Sequence, residues 1–109
     1  MLLTAGVFAE TKIIDVSTAK AKALLHSDDA PMVIDVRTPV EFKSGHVNGA
    51  KNINYRSLNF KKRLSKLDKN QVYLVHCKSG GRSSRSLKVF KELGFAKVYH
   101  LKSGYQSWK

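Results

Sequence analysis

Cysteine is almost absent from this sequence: Cys77 stands alone. An intrachain disulfide is thereby excluded, and so is a metal site built on several thiolates. The four histidines, His26, His46, His76 and His100, are scattered without metal-ligand spacing, so neither a metal nor any other cofactor is expected. Acidic residues are scarce too, 8 Asp and Glu against 20 Lys and Arg, which leaves a net charge of +12. The basic residues are dispersed, as in Lys20/Lys22, Lys61-Lys62-Arg63, Lys66/Lys69 and Lys88/Lys91. Such dispersal is typical of solvated helical faces, and it also steers small anions towards the protein. No finger, helix-turn-helix or aromatic platform accompanies the charge, so nucleic acid is not an expected partner.

A membrane is not an expected partner either. The apolar run Met1–Ala9 falls far short of the about 20 residues that a span requires. Its end, Val7-Phe8-Ala9, fits a secretory cleavage site, but no basic segment precedes it, and an ordinary apolar N-terminus fits as well. The reading leans towards a periplasmic or otherwise exported protein and leaves a cytoplasmic one open. Residues 1–11 are therefore set apart as a signal-peptide remnant or flexible N-terminus, and 12–109 as one domain. No internal repeat or low-complexity linker divides that domain.

What is present alternates. Lys12–Val16, Met32–Val36, Lys51–Tyr55, Val72–His76 and Lys97–Leu101 are short apolar runs that predict five strands. Between them lie helical patterns. Ser17 is the expected N-cap of the first, with Ala21, Leu24 and Leu25 behind it. Thr38-Pro39-Val40-Glu41 predicts a capping box with proline at the first helical position. Ser57 is expected to cap a third helix that buries Phe60, Leu64 and Leu67; Ser83 opens a fourth with Leu87, Phe90 and Leu93, which Gly94 ends. Strands alternating with helices predict an α/β fold with a parallel sheet covered by helices on both faces. Tyr105 and Trp108 are expected to pack down on the core as a lid.

The chain is organised around Cys77-Lys78-Ser79-Gly80-Gly81-Arg82. These residues leave the fourth strand at its C-terminal end and enter a helix, the edge where open α/β sheets bind ligands. Backbone N–H groups from Lys78 to Ser83, added to the helix dipole, predict an anion-binding bowl. A thiol above it becomes a thiolate nucleophile near neutral pH, and Lys78 and Arg82 add positive charge. A buried, inert cysteine is the competing reading, but Gly-Gly-Arg after a strand-end cysteine suits an anion loop better than a core.

Asp35-Val36-Arg37-Thr38-Pro39-Val40-Glu41-Phe42, with Gly45-His46-Val47, Gly49-Ala50 and the Cys77-x-x-Gly80-x-Arg82 loop, resembles the rhodanese-like domain from about Ile13 to Trp108. The resemblance implies a five-stranded parallel sheet flanked by helices and a small single-domain sulfurtransferase. Cys77 would carry a persulfide formed from thiosulfate or another small anionic sulfur donor. The acceptor would be a thiol or cyanide, a protein thiol included. Lys78, Ser79, Gly80, Gly81, Arg82 and Ser83 would bind the donor, with Lys78 and Arg82 on its oxyanion end. Two positions depart from the family pattern: Ser103-Gly104 replaces a glycine pair, and Asn54 stands where proline is common. Cysteine-dependent phosphatases and arsenate reductases are the alternative enzyme class, but their loop is C-x5-R and Ser83 occupies that sixth position here. A persulfide-carrying interaction module is the alternative outside catalysis. Arg37 and Glu41 are expected to pair with each other, Asp35 to bond nearby backbone, and His46 to fasten its loop. His76 points away from its neighbour Cys77, so the two form no dyad, and a loop that already supplies a thiolate needs no general base.

Overall fold

Five parallel strands form one sheet in the order β1-β5-β4-β2-β3 in the computed structural model, which describes residues 10–108. They are β1 (Lys12–Val16), β2 (Met32–Asp35), β3 (Lys51–Asn52), β4 (Val72–His76) and β5 (Lys97–Leu101). Four helices connect them: α1 (Thr18–Leu25), α2 (Pro39–Lys43), α3 (Phe60–Ser65) and α4 (Gly81–Glu92), and a 3-10 turn spans Tyr105–Ser107. The Met1–Ala9 run lies outside the described residues. Among those described, no helix is long and apolar enough to cross a membrane.

The sheet is apolar on both faces because both are covered. On one face Ile34, Val36, Tyr73, Val75 and Val98 pack with Phe60 and Leu64 of α3 and Phe90 of α4. On the other, Val33, Leu74 and Leu101 meet Ala21 of α1, with Tyr105 and Trp108 closing the edge as the expected lid. Strand periodicity assigns Cys77 to the first face and His76 to the second, as the alternation of side chains requires. β4 is the central strand, so Cys77 follows it into the middle of the sheet's C-terminal edge.

The caps are local chemistry. Ser17 Oγ accepts the Lys20 N–H at 3.1 Å, and Thr38 and Glu41 form the reciprocal capping box. Besides β2, which ends one residue early at Asp35, three boundaries differ from the sequence-based expectation. β3 ends at Asn52 rather than Tyr55, because the Asn52 amide donates to the carbonyls of Asp35 and Arg37, and Asn54 then starts a turn through the Arg56 N–H. α3 begins at Phe60, and Ser57 shapes the turn before it through Asn59 rather than capping the helix. α4 begins at Gly81, two residues before Ser83, because Gly80 adopts a φ of +103° and serves as its N-cap.

Arg37 and Glu41 do not pair. The Arg37 guanidinium turns back onto Asp35, with Nε and Nη2 at 3.0 and 2.7 Å from its carboxylate, and Nη2 also donates to the Gly45 carbonyl. Asp35 is fully buried and also accepts the Arg37 N–H, which confirms its backbone bond. A helix start cannot bring residues 37 and 41 together when residue 37 lies outside the helix. The Arg37 guanidinium also stacks on Tyr105 at 4.3 Å, so the pair ties β2 to the chain's end.

Removal of one partner from such a pair strands a buried charge. Asp35→Ala is expected to lower the unfolding free energy by about 3–5 kcal/mol, while Asp35→Leu combined with Arg37→Met recovers most of that loss. Urea titrations of the three proteins check this.

Candidate active site

Cys77 is 1% exposed, so a charge on its sulfur has to be stabilised by the protein. The left-handed turn at Gly80 supplies the means. It directs the Gly80 N–H at Sγ over 3.1 Å, and the first turn of α4 brings Ser83 Oγ to 3.4 Å. Burial pushes the thiol pKa up, but the Ser83 hydroxyl and the N–H groups of Ser83, Gly80 and Ser79 together pull it below its ordinary value. Of the loop's backbone groups, the N–H groups of Ser79, Gly80 and Ser83 thus bear on the sulfur. The loop contributes Lys78, Ser79 and Gly81 as exposed residues and Ser83 as a fully buried one.

The end of the chain holds this loop from behind. Tyr105 N–H donates to the Cys77 carbonyl at 2.8 Å, and Gln106 N–H to that of Lys78 at 3.1 Å. The backbones approach so closely that only glycine fits at two points. A Cβ on Gly80 would lie 2.2 Å from the Lys102 oxygen, and one on Gly104 would lie 2.1 Å from the Lys78 oxygen. Gly104, with φ +78°, is therefore the indispensable half of the Ser103-Gly104 pair.

Arg82 lies closer to protein than to solvent. Its guanidinium grips the Glu41 carboxylate with two bonds, Nη1–Oε1 at 2.6 Å and Nη2–Oε2 at 3.0 Å, and joins α4 to α2 across the loop. The Arg82 side chain is 12% exposed. Arg82 and Thr38 together hold the Glu41 pKa at about 2. Lys78, by contrast, is exposed on the wall of a cleft of about 300 Å³ beside the loop, together with Arg37, Val40, Glu41, Gly45 and Tyr105. A larger cavity of about 920 Å³ lies at the opposite, N-terminal edge of the sheet, among Thr11, Ile13, Asn70 and Leu93, and has no thiol or histidine in its walls.

Two buried histidines flank the site on opposite faces. His76 bonds the Cys77 carbonyl through Nδ1 at 2.9 Å, and burial pushes its pKa down. His100, 1% exposed on β5, brings Nε2 to 2.8 Å from Ser83 Oγ and Nδ1 to 3.2 Å from Asp15 Oδ1. Neither Asp15 nor His100 is a candidate from sequence alone. The available signal is a histidine inside an apolar strand, a residue that burial tolerates only with partners. His46 fastens its loop as expected, accepting no role at the sulfur: Nδ1 bonds the Phe42 carbonyl and the ring stacks on Phe42 at 3.7 Å.

Two outcomes follow. Gly104→Ala is expected to cost at least about 2 kcal/mol of stability, since strained backbone and a backbone clash add; thermal unfolding reads this. The Glu41–Arg82 pair contributes stability above the ordinary carboxyl pKa of 4.5 and loses it as the pH falls towards about 2, because Glu41 is the acid held low in the folded state. Glu41→Gln should remove about 1 kcal/mol at neutral pH and flatten that acid limb in urea titrations from pH 6 down to 2.

The chain has relatives among known proteins. YqhL of Bacillus subtilis (strain 168) is 40% identical over 76 residues, which make up 70% of this chain and 59% of YqhL. The thiosulfate sulfurtransferase GlpE of Pseudomonas aeruginosa (strain LESB58) is 29% identical over 75% of this chain and 73% of its own length. A rhodanese-like domain protein from Staphylococcus aureus, solved by crystallography, superposes with a TM-score of 0.78 at 25% identity and covers 88% of this chain and 91% of that one. Further relatives are named for sulfur carriage and for joint adenylyltransferase and sulfurtransferase roles. The chain thus spans less than two thirds of the curated relative it matches at 40% identity. The rhodanese-like family model matches residues 17–109, and the chain belongs to the rhodanese-like domain family.

Proposed function

We propose that this protein is a sulfurtransferase that takes the sulfane sulfur of thiosulfate, or of a similar small anionic donor, onto Cys77 and passes it to a thiophilic acceptor. The observation that carries the reading is the donor set around one buried sulfur: Gly80 N–H at 3.1 Å and Ser83 Oγ at 3.4 Å, with the thiol pKa lowered overall. The Cys77 thiolate attacks the outer sulfur of thiosulfate. A new S–S bond forms to Sγ, the donor's own S–S bond breaks, and its electron pair leaves with sulfite. The terminal sulfur of the persulfide would bear the negative charge, and the loop N–H groups beside it would stabilise the intermediate as they would an oxyanion. Cyanide or a thiolate, a protein thiol included, then attacks that sulfur and returns Cys77 as thiolate.

Lys78 carries the free positive charge of the loop and would meet the donor's sulfonate end. Ser79, Gly80, Gly81 and Ser83 would line the bowl. Arg82 would add its field while Glu41 fixes its position. That fixed arginine also disfavours phosphatase chemistry, which calls for a guanidinium free to wrap a tetrahedral oxyanion.

Intact-mass measurement after exposure to thiosulfate should show the protein heavier by one sulfur atom, and cyanide should remove it. Cys77→Ser should abolish both the adduct and thiocyanate formation; a serine variant that kept full activity would refute the persulfide route. Lys78→Ala should raise KM for thiosulfate about fivefold, the equivalent of about 1 kcal/mol, with kcat retained. Steady-state kinetics at low ionic strength measure it, and added salt should narrow the difference.

A further inference from the structure

We infer that Asp15, His100 and Ser83 form a proton relay that ends on Cys77 and couples ionisation of the thiol to protonation of the imidazole. The inference rests on Cys77 acting as a nucleophile, as proposed above. Its starting point is a shortage of protons. Ser83 Oγ has one hydrogen and three neighbours: Cys77 Sγ at 3.4 Å, the Gly80 carbonyl at 3.2 Å and His100 Nε2 at 2.8 Å. Which neighbour receives it depends on His100. Asp15 Oδ1, at 3.2 Å, can only accept while ionised, so Nδ1 carries a hydrogen.

A neutral His100 then presents a lone pair at Nε2, and the Ser83 hydroxyl donates to it. The serine turns a lone pair towards the sulfur, an arrangement that suits a thiol S–H and opposes a thiolate. A charged His100 reverses the chain. Nε2–H donates to Ser83 Oγ, and the serine hydrogen is released to the sulfur, where it stabilises the anion. The step is balanced within the chain: the thiol proton passes to Ser83 Oγ, the serine proton passes to His100 Nε2, and Asp15 holds the imidazolium. No proton enters or leaves the chain in this step. The sheet register places the parts, since Asp15 pairs with His100 across β1 and β5, and His100 with Val75 across β5 and β4.

His100 acts through Ser83, so it is a positioning residue. The groups that bear on its charge are Asp15 on β1, Lys102 just beyond β5, and His76 on β4. Burial lowers its pKa and Asp15 opposes that shift, so the Asp15 carboxylate is the group that favours a proton on the ring.

The rate at which iodoacetamide alkylates Cys77, the sole cysteine, reports the thiolate fraction at each pH whether or not any sulfur is transferred. The pH midpoint of this rate should rise by about one unit in Ser83→Ala and in His100→Gln, a tenfold loss of thiolate at neutral pH. The double variant should shift no further than Ser83→Ala alone, because the two act in series. Asp15→Asn, whose side chain is 60% exposed and spares the core, should shift it in the same direction by less. Wild-type midpoints in both His100→Gln and Asp15→Asn would overturn the relay. An independent reading comes from NMR titration of the His100 ring. By reciprocity its midpoint should lie lower in Cys77→Ser than in the native protein, whereas a merely structural histidine would not move. A native protein with a low Cys77 midpoint that takes no sulfur from thiosulfate would refute the proposed donor and leave the relay standing.

Discussion

A sulfur anion buried at the end of a central strand must be surrounded by donors, and this requirement organises most of the molecule. Water is not available to Cys77, which is 1% exposed, so every donor has to come from the loop that follows it. Only a tight curl brings the Gly80 N–H and the Ser83 hydroxyl onto one atom, and only a glycine in the left-handed region makes that curl. The curl in turn needs a support, because a run of N–H groups aimed inward leaves the loop's carbonyls facing outward. Tyr105 and Gln106 satisfy the first two of them.

The ion pairs have complementary tasks. Asp35–Arg37 is wholly interior and fastens β2 to the Gly45 loop and to Tyr105. Arg82–Glu41 lies at the rim and joins the two helices between which the loop opens. Their strengths differ for a physical reason. The interior pair is expensive to break, while the rim pair keeps enough water to be modest in energy. Lys78 is left as the mobile charge at the cleft, the place where a lysine on a flexible stem serves better than a fixed arginine.

How much of this was legible in the residues follows from range. Four of the five strand runs (to within one residue), the Thr38–Glu41 capping box and the strand–Cys77–helix arrangement are short-range patterns that the sequence alone placed. The five-stranded parallel sheet was legible through the alternation of elements together with the family resemblance. Two pairings that no local pattern announces depend on contacts between distant segments. Arg82 meets Glu41 across 41 positions, and Asp15 meets His100 across 85. No spacing rule reaches so far. Arg37 and Glu41 stand four apart around a helix start, but residue 37 precedes the N-cap Thr38, so helical spacing does not bring them together.

The histidines show the same limit from the other side. His76 sits next to Cys77 in sequence and is turned away from it by the alternation of the strand, as expected. His100 is 23 residues further on, yet the parallel pairing of β4 with β5 brings it to the same face and the same edge of the sheet. A loop rich in N–H donors can stabilise a thiolate once it exists, but it has no place to put the proton that leaves. At a sulfur only 1% exposed that proton needs a destination, and the imidazole connected to the sulfur through a hydroxyl supplies it. Stabilising the anion and accepting its proton are separate demands, and in this fold they are met by separate strands: the end of β4 provides the first, and β1 with β5 the second.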